Sequence, residues 1–372
     1  MKGLIDSTLR EGEQTVGVSF ALAAKQAIVA GLLKIGIEEI ELGIVNPADH
    51  ELSELMRYAR QVAGYTRLSL WCRCNDADID HAAGLAPDVL SLSIPASDLH
   101  IAKKLQKSKA WVLARVASAI RRALAHGIGF VSLGLEDATR ADADFLSALL
   151  KTAQANGAAR IRLADTVGIS TPSEMASLVK KCRDLAPRLQ IGVHTHNDFG
   201  MATANGLAAI EAGADWADVT ILGLGERAGN ARLEEVAGFC ALRRGRGYDT
   251  RAIAELSQRV ARFVNLAIPA NRPIVGANIF ACETGLHLQG LLTAPESYEP
   301  YDPGRVGAER RLLFGHKIGR GAIRNWLIAQ GKSTAPERLA EMAQGIRRQA
   351  IQLGRPIPDD ELGAVALAAP RA

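Results

Sequence analysis

The chain contains no apolar run approaching the ~18 residues that a membrane-spanning helix requires. Its opening, "MKGLIDSTLREGEQ", becomes charged too soon for a secretory leader. Cysteine is sparse: Cys72, Cys74, Cys182, Cys240 and Cys282, an odd number at scattered spacing, which argues against a disulfide framework. Cys72 and Cys74 form C-x-C inside an apolar run. That is not the C-x-x-C of redox or zinc sites, and we read them as strand residues in a reducing compartment. These absences lead us to expect a cytoplasmic protein with no membrane partner. A large excess of one sign of charge is absent as well, the net being +4. The one basic cluster, Arg243, Arg244 and Arg246, is short and carries no interleaved aromatics, so we expect a solvated turn after a helix and no nucleic-acid surface. Short-period repeats are absent, and the only low-complexity segment is the Ala-rich tail after Leu362.

What the chain does have is alternation. Eight short apolar runs recur: "KGLIDST", "IEEIELGI", "TRLSLWCR", "DVLSLSIP", "GFVSLGLE", "ARIRLADT", "QIGVHTH" and "WADVTILGLG". Amphipathic stretches lie between most of them, such as 21–35, 110–126, 141–156, 172–185 and 201–212. Buried strands alternating with helices predict a parallel sheet. Eight such units in about 245 residues fit a (β/α)8 barrel, an α/β fold. A doubly wound sheet is the alternative, but no Gly-rich dinucleotide fingerprint follows the first strand.

The rhythm changes after about Tyr248. A helical segment, 250–265, leads into "LAIPANRPIVGANIF" and then into "ACETGLHLQGLLTAPESYEPYDPGRVG", rich in Gly, Pro and Tyr. Helices around 323–330 and 335–353 follow. We therefore expect a catalytic barrel over residues 1–248. Residues 249–372 would form a loop-rich arm and small helical subdomain that contributes to the active site and to a dimer.

In such a barrel, functional residues gather at the C-terminal ends of the strands. The first strand ends in Asp6, Thr8, Arg10, Glu11 and Gln14, and the third near Arg73 and Asn75. The fifth ends in Glu136 and Asp137, the sixth in Asp165 and Thr166. The seventh carries "VHTHNDFG", with His194, His196, Asn197 and Asp198. The eighth ends in "GLGERAGN", which holds Glu226, Arg227 and Asn230. Ionisable residues at so many strand ends are costly unless they serve a site.

His194 and His196 are two residues apart on a strand, so both face the same side. H-x-H alone is a weak signal. Here it stands at a seventh strand end with an acid after the first, and a closed barrel brings those ends close. Glu11 would complete a two-histidine, one-carboxylate site for a divalent ion, whether zinc, manganese, magnesium or iron. Asn230 would hydrogen-bond to water on that ion. Arg10 beside it suits a developing enolate or carboxylate oxygen. The competing reading is a salt bridge from Arg10 to Asp6 or Asp165. Glu226 and Arg227 would pair with each other, and Asn197 and Asp198 would hold the loop and orient the ligands.

"DSTLREGEQ", "LADTVGISTP", "VHTHNDFGMATAN" and "GLGERAGNARLEEV" together resemble the homocitrate synthase and 2-isopropylmalate synthase family of metal-dependent barrels. The match covers most of 2–331, and several motifs in the right order make it specific. "SLGLEDATRADADFL" and the short length look most like the nitrogen-fixation type of homocitrate synthase. The long C-terminal regulatory domain of many isopropylmalate synthases is not expected. The resemblance implies a Claisen condensation of acetyl-CoA with a 2-oxo acid, 2-oxoglutarate first among them, followed by thioester hydrolysis to release CoA. Glu11, His194 and His196 would hold the metal (Mg, Mn or Zn), with Asn230 in or next to its shell. Arg10 would stabilise the oxyanion. Gln14 and Thr166 would bind the substrate carboxylate, with Asn75 counted in the substrate-binding set. Glu136 and His287 would form the acid/base dyad, His287 reaching over from the partner in a homodimer. The lyases and aldolases of this fold lack the "GLGERAGN" turn.

The arm departs from the family pattern. "HEAGIH" then "VDG" becomes "CETGLH" then "LQG", with Cys282 for a histidine and Gln289 for an aspartate. "GKHSG" becomes "GHKIG", with His316 displaced and Lys317 in its place. Arg311 aligns with a family tyrosine. Fungal homocitrate synthases also place an Arg and a Ser before their counterpart of Glu136 to bind the distal carboxylate of 2-oxoglutarate. Those positions here are Ser132 and Gly134, so another group must balance that charge.

Overall fold

The computed structural model describes residues 1–283 and 285–367, in two compact units, Met1–Ala267 and Ile268–Ala372. The first is a closed barrel of eight parallel strands in sequence order. They are β1 Gly3–Asp6, β2 Glu39–Ile44, β3 Arg67–Arg73, β4 Val89–Pro95, β5 Val131–Glu136, β6 Arg160–Asp165, β7 Gln190–Thr195 and β8 Trp216–Val219. The barrel shuts by pairing β1 with β8, Gly3 opposite Trp216 and Asp6 opposite Val219. All eight predicted runs are strands, and the (β/α)8 architecture is the one their alternation predicts.

Helices surround the barrel: α1 Leu22–Ile35, α2 His50–Val62, α3 Asp76–Gly84, the single turn α4 Asp98–His100, α5 Lys109–Ala125, α6 Ala143–Ala155, α7 Pro172–Leu185, α8 Ala202–Glu211, α9 Leu233–Arg244 and α10 Thr250–Phe263. Their starts follow local chemistry. Thr171 and Glu174 close a capping box on α7, with Pro172 in its first turn. Asp49 and Asn75 accept the backbone N–H groups of Leu52 and Asp78 to cap α2 and α3. Arg243 and Arg244 occupy the last turn of α9, with Arg244 paired to Glu211 at 2.5 Å.

The first unit extends beyond the boundary that the change of rhythm after Tyr248 suggests. α10 buries Ile253, Leu256 and Val260 and packs on α1 and α9, so the helix belongs with the barrel.

The barrel interior is not wholly apolar. Two charged layers cross it from β2 to β6. In the lower, Arg160 donates to both oxygens of Glu39, at 2.9 and 2.7 Å, and to Ser132 Oγ at 3.0 Å. In the upper, Arg162 Nη1 donates to Glu41 Oε1 at 2.8 Å. Glu39, Glu41 and Arg160 are fully buried. Charges taken this far from water persist only when paired and hydrogen-bonded, as these are.

The second unit has its own core. A three-stranded sheet orders β9 Ala281–Cys282, β10 Arg311–Phe314 and β11 Ile357–Pro358 as β11-β10-β9. The helices α11 Gly285–Thr293, α12 Arg320–Ala329, α13 Pro336–Leu353 and α14 Asp359–Leu367 complete it. Leu288, Phe314, Ile323, Trp326, Met342 and Ile346 pack together as its buried cluster. The arm that composition marks as loop-rich is thus partly helical. Among the described residues, no helix is long and apolar enough to cross a membrane.

Candidate metal centre and active site

The turn after β1 presents Arg10 and Glu11 to the barrel mouth. Asp6 accepts from the Thr8 N–H at 2.9 Å and the Thr8 hydroxyl at 3.1 Å, and Thr8 Oγ1 in turn accepts the Ile221 N–H at 2.9 Å. The N–H groups of Arg10 and Glu11 fold back on the Ser7 carbonyl at 3.1 and 2.7 Å. On β7, His194 and the residue just past its end, His196, share one face, their rings 4.9 Å apart and nearly perpendicular.

Glu11 lies against both imidazoles. Its Oε1 is 3.3 Å from His196 Nε2, and its Oε2 is 3.7 Å from His194 Nε2. The three are buried, and each offers one ligand atom, all within 4.8 Å of one another. Each histidine is steered by its other nitrogen: His194 Nδ1 lies 2.7 Å from Asp218 Oδ2, and His196 Nδ1 lies 3.2 Å from the Asp165 carbonyl. Protonation at Nδ1 satisfies both contacts and leaves the Nε2 lone pairs facing Glu11. Burial lowers the pKa of His194 well below the ordinary 6.5, helped by the nearby Arg162, and burial lowers His196 too. Neutral imidazoles are the form that binds metal.

Asn230 pairs across an isolated antiparallel bridge with His196. Its Nδ2 donates to the Leu224 carbonyl at 2.9 Å, whereas its buried Oδ1 has no hydrogen-bond partner. A buried amide oxygen without a donor is rare in folded proteins. Two Nε2 atoms and a carboxylate form a donor set suited to a divalent ion with open positions, and the orphaned oxygen belongs to the residue bridged to His196. The "GLGERAGN" turn holds the amide there. Gly225 (φ +154) and Gly229 (φ +86) leave no room for a side chain: a Cβ at 225 would meet Asn230 Nδ2 at 2.0 Å, and one at 229 the Gly223 carbonyl at 1.9 Å.

Arg10 does not pair with Asp6 or Asp165. Its Nε donates to Glu41 Oε2 at 2.7 Å, its Nη1 donates to Glu11, and its guanidinium sits 5.8 Å from the Trp71 ring centroid. Burial alone would raise the pKa of Glu41, but the Arg10 and Arg162 guanidiniums hold it well below the ordinary range.

A cavity of about 520 Å³ opens above this cluster. Arg10, Glu11, Gln14, Asn75, Glu136, Thr166 and both histidines line it, so eight of the ten residues given a catalytic, metal or substrate role meet there. Asn75 also caps α3, and Thr166 Oγ1 accepts the Asp137 N–H at 2.8 Å. Gly134 lines the wall, whereas Ser132 faces the lower charged layer and accepts from Arg160. At the rim, Arg227 pairs with Glu226 at 3.3 Å and more closely with Asp198 at 2.8 Å. Asn197 Oδ1 accepts the Ala202 N–H at 3.1 Å and fixes the start of α8.

Glu136 has two neighbours that the motifs do not announce. His100 Nδ1 lies 3.0 Å and Lys104 Nζ 2.5 Å from its Oε1. Both come from the turn after β4. His287 belongs to the second unit, where it is exposed and its ring stands 4.5 Å from that of Tyr298. In that unit Cys282 lies on β9, His316 Nδ1 is 3.4 Å from Glu283 Oε1, and Lys317 and Arg311 are exposed. The side chain of Gln289 lies outside the described residues.

The motif reading also missed Glu41, Arg162 and Asp218. A signal exists for two of them: E-x-E in "IEEIELGI" and R-x-R in "ARIRLADT" put like charges on one face of two strands, four charges that can neutralise each other across the barrel.

The chain matches two family models: HMGL-like over residues 3–260, and homocitrate synthase post-HMGL domain-like over 274–353. It is 40% identical to 2-isopropylmalate synthase 2 of Caldanaerobacter subterraneus subsp. tengcongensis, over 96% of this chain and 93% of that one. It is also 40% identical to a homocitrate synthase of Frankia alni, over 88% and 93% respectively. Among solved structures, the HMG-CoA lyase of Brucella melitensis superposes with a TM-score of 0.63 at 20% identity, covering 71% of this chain and 98% of that one. At that identity the likeness is one of fold.

Proposed function

Because the chain belongs to the HMGL-like family, we propose that it is an acyltransferase condensing acetyl-CoA with a 2-oxo acid, with 2-oxoglutarate as acceptor and homocitrate as product. The observation that carries the reading is the buried cluster of Glu11, His194 and His196, with Asn230 bridged to His196, in a cavity lined by Arg10. A divalent ion held by these atoms would polarise the acceptor ketone. Arg10 is anchored through Nε by Glu41 and through Nη1 by Glu11, which leaves Nη2 to meet the ketone oxygen as charge develops there. Gln14 and Thr166 hold the acceptor carboxylate. Glu136 removes a proton from the acetyl methyl group, with His100 placed to take it on and Lys104 orienting the carboxylate. The methyl carbon bonds to the ketone carbon, the ketone oxygen gains a proton, and water then cleaves the thioester to a carboxylate and the CoA thiol. The family pattern pairs Glu136 with His287; within the first unit the imidazole beside it is His100.

The acceptor is supported by charge. Lys104 lines the cavity with its side chain 61% exposed, a cation available to a distal carboxylate where fungal homocitrate synthases use an arginine at the Ser132 position. The nitrogen-fixation type of homocitrate synthase, which "SLGLEDATRADADFL" resembles, also has small residues there. The test is acceptor-dependent thiol release from acetyl-CoA with added Mn or Mg, across 2-oxoglutarate, 2-oxoisovalerate and pyruvate. We expect release with all active acceptors to need the metal and 2-oxoglutarate to be used best. Preference for 2-oxoisovalerate or pyruvate would replace the acceptor, and no release with any acid would sink the reaction.

A further inference from the structure

We propose that Arg162 is the positioning residue of this centre, a guanidinium that locks the metal-binding His194 and the oxyanion-binding Arg10 into one unit; this rests on the functional reading above. Two carboxylates orient those groups. Asp218 Oδ2 fixes His194 through Nδ1 at 2.7 Å, and Glu41 Oε2 fixes Arg10 through Nε at 2.7 Å. Arg162 touches both. Its Nη1 donates to Glu41 Oε1 at 2.8 Å, and its Nη2 donates to Glu41 Oε2 at 3.3 Å and to Asp218. Nη2 also stands 3.4 Å from His194 Nδ1.

The arrangement is one of charge as well as shape. Arg10 and Arg162 carry two positive charges, Glu41 and Asp218 two negative ones, and all four side chains are buried. The quartet is neutral, so the Glu11 carboxylate remains as surplus negative charge for a cation. Removing Arg162 would leave Asp218 without its cation and Glu41 with Arg10 alone, and both carboxylates would then pull on Arg10 and on His194. A lysine at 162 would restore the charge but not the fork, since one ammonium is a point donor and cannot span two carboxylates with fixed geometry.

The barrel supplies its own control. Arg160 sits two residues earlier on the same strand face, equally buried, with a bidentate carboxylate of its own, Glu39. It faces Ser132, Phe130 and Trp216 and touches neither Arg10 nor a histidine. A role in stability alone predicts the same behaviour for both arginines. A positioning role predicts that only Arg162 reaches the metal.

The experiment compares Arg162→Lys, Arg162→Met and Arg160→Met in the full chain, stripped of metal. Equilibrium Mn(II) affinity, thermal midpoint, and kcat and KM for the acceptor are measured for each. Both Arg162 variants should lose about 10- to 100-fold in Mn(II) affinity, the loss typical when a group behind a ligand is removed. Their kcat should fall more than KM rises, because Arg10 acts on the developing charge. Arg160→Met should lower the thermal midpoint and leave Mn(II) affinity within twofold. Arg162→Lys guards against a methionine variant that fails to fold. Wild-type Mn(II) affinity in Arg162→Lys, or an equal loss in Arg160→Met, overturns the proposal, as does a wild-type chain without measurable Mn(II) affinity. The affinity comparison reads Arg162 even if the wild-type chain condenses no acceptor, so the two readings fail separately.

Discussion

Glu11 Oε1 stands 3.3 Å from His196 Nε2 although 185 positions separate them in the chain. The turn after β1 and the end of β7 converge at the barrel mouth, and no local motif contains the pair. Both groups are buried, and with His194 they place one carboxylate and two neutral imidazoles around a single point. Arg10 already compensates that carboxylate through Nη1, so the mark of a cation site is the pair of neutral Nε2 atoms turned toward Glu11.

His194→Ala and Glu11→Gln should therefore each lower acceptor-dependent CoA release by on the order of 10³-fold, the several kcal/mol that a bound Lewis acid supplies. Chelation of the wild-type chain should remove activity, and Mn or Mg should restore it. Thiol-release assays on metal-stripped and reloaded protein check this. Activity that survives both chelation and the His194→Ala change would exclude the metal reading.

Glu234 gives a pH prediction for stability. It is fully buried at the start of α9, where Oε2 accepts the Leu222 N–H at 3.0 Å and Oε1 has no partner. Burial pushes its carboxyl up from the ordinary 4.5 to about 7. The folded state thus holds a proton that the unfolded state releases between these values. The stabilisation is fully present below about 4.5 and is lost as pH rises to about 7, by on the order of 3 kcal/mol. Glu234→Gln should remove that slope. The thermal midpoint of the variant relative to wild type should climb between about pH 4.5 and 7 and level off above it. A constant difference across the window would show that Glu234 is ionised in the folded chain.

Gly229→Ala tests the turn that carries Asn230. At φ +86 an alanine is strained, and its Cβ would meet the Gly223 carbonyl at 1.9 Å. That backbone atom cannot rotate away, so the turn itself must open. We expect about 2–4 kcal/mol of lost stability, the tail that backbone strain and clash reach, with weaker Mn(II) binding because Asn230 moves. Chemical denaturation and Mn(II) titration measure the two losses. Wild-type Mn(II) affinity in a folded variant would remove Asn230 from the ligand set.

The barrel was legible because its strands are short buried runs at regular spacing, and the Glu11, His194 and His196 cluster because H-x-H stands where a strand must end. The charged layers were hidden by the same reasoning. Glu39 and Glu41, like Arg160 and Arg162, interrupt runs that count as apolar, and their partners lie 121 residues away on the far side of the barrel. Asp218 sits alone in "WADVTILGLG" and gains meaning only when β8 closes beside β7. His100 and Lys104 come from a single helical turn and the π-turn after it, which have no sequence signature of their own. The change of rhythm after Tyr248 marks what precedes α10, whereas what the helix packs on, α1 and α9, is visible only in the fold.

Lys104 offers a test of the acceptor. Its Nζ is 2.5 Å from Glu136 Oε1, and both line the cavity above the proposed metal ligands. An acceptor with a second carboxylate would meet this ammonium, whereas a branched or short aliphatic acceptor would meet the apolar wall of Ile94, Pro95, Leu105 and Trp111. A hydrogen bond to a charged group is worth about 1.5–3 kcal/mol, roughly 10- to 150-fold in binding. Lys104→Ala should lower kcat/KM for 2-oxoglutarate by that order. Since Lys104 also orients Glu136, kcat/KM for 2-oxoisovalerate should fall too, but by no more than about fivefold, a loss nearer that of an exposed ion pair. The ratio of the two efficiencies is thus the informative number. An equal fall for both acids would confine Lys104 to orienting Glu136 and send the search for the distal-carboxylate partner to Arg73, the other exposed cation on the cavity wall.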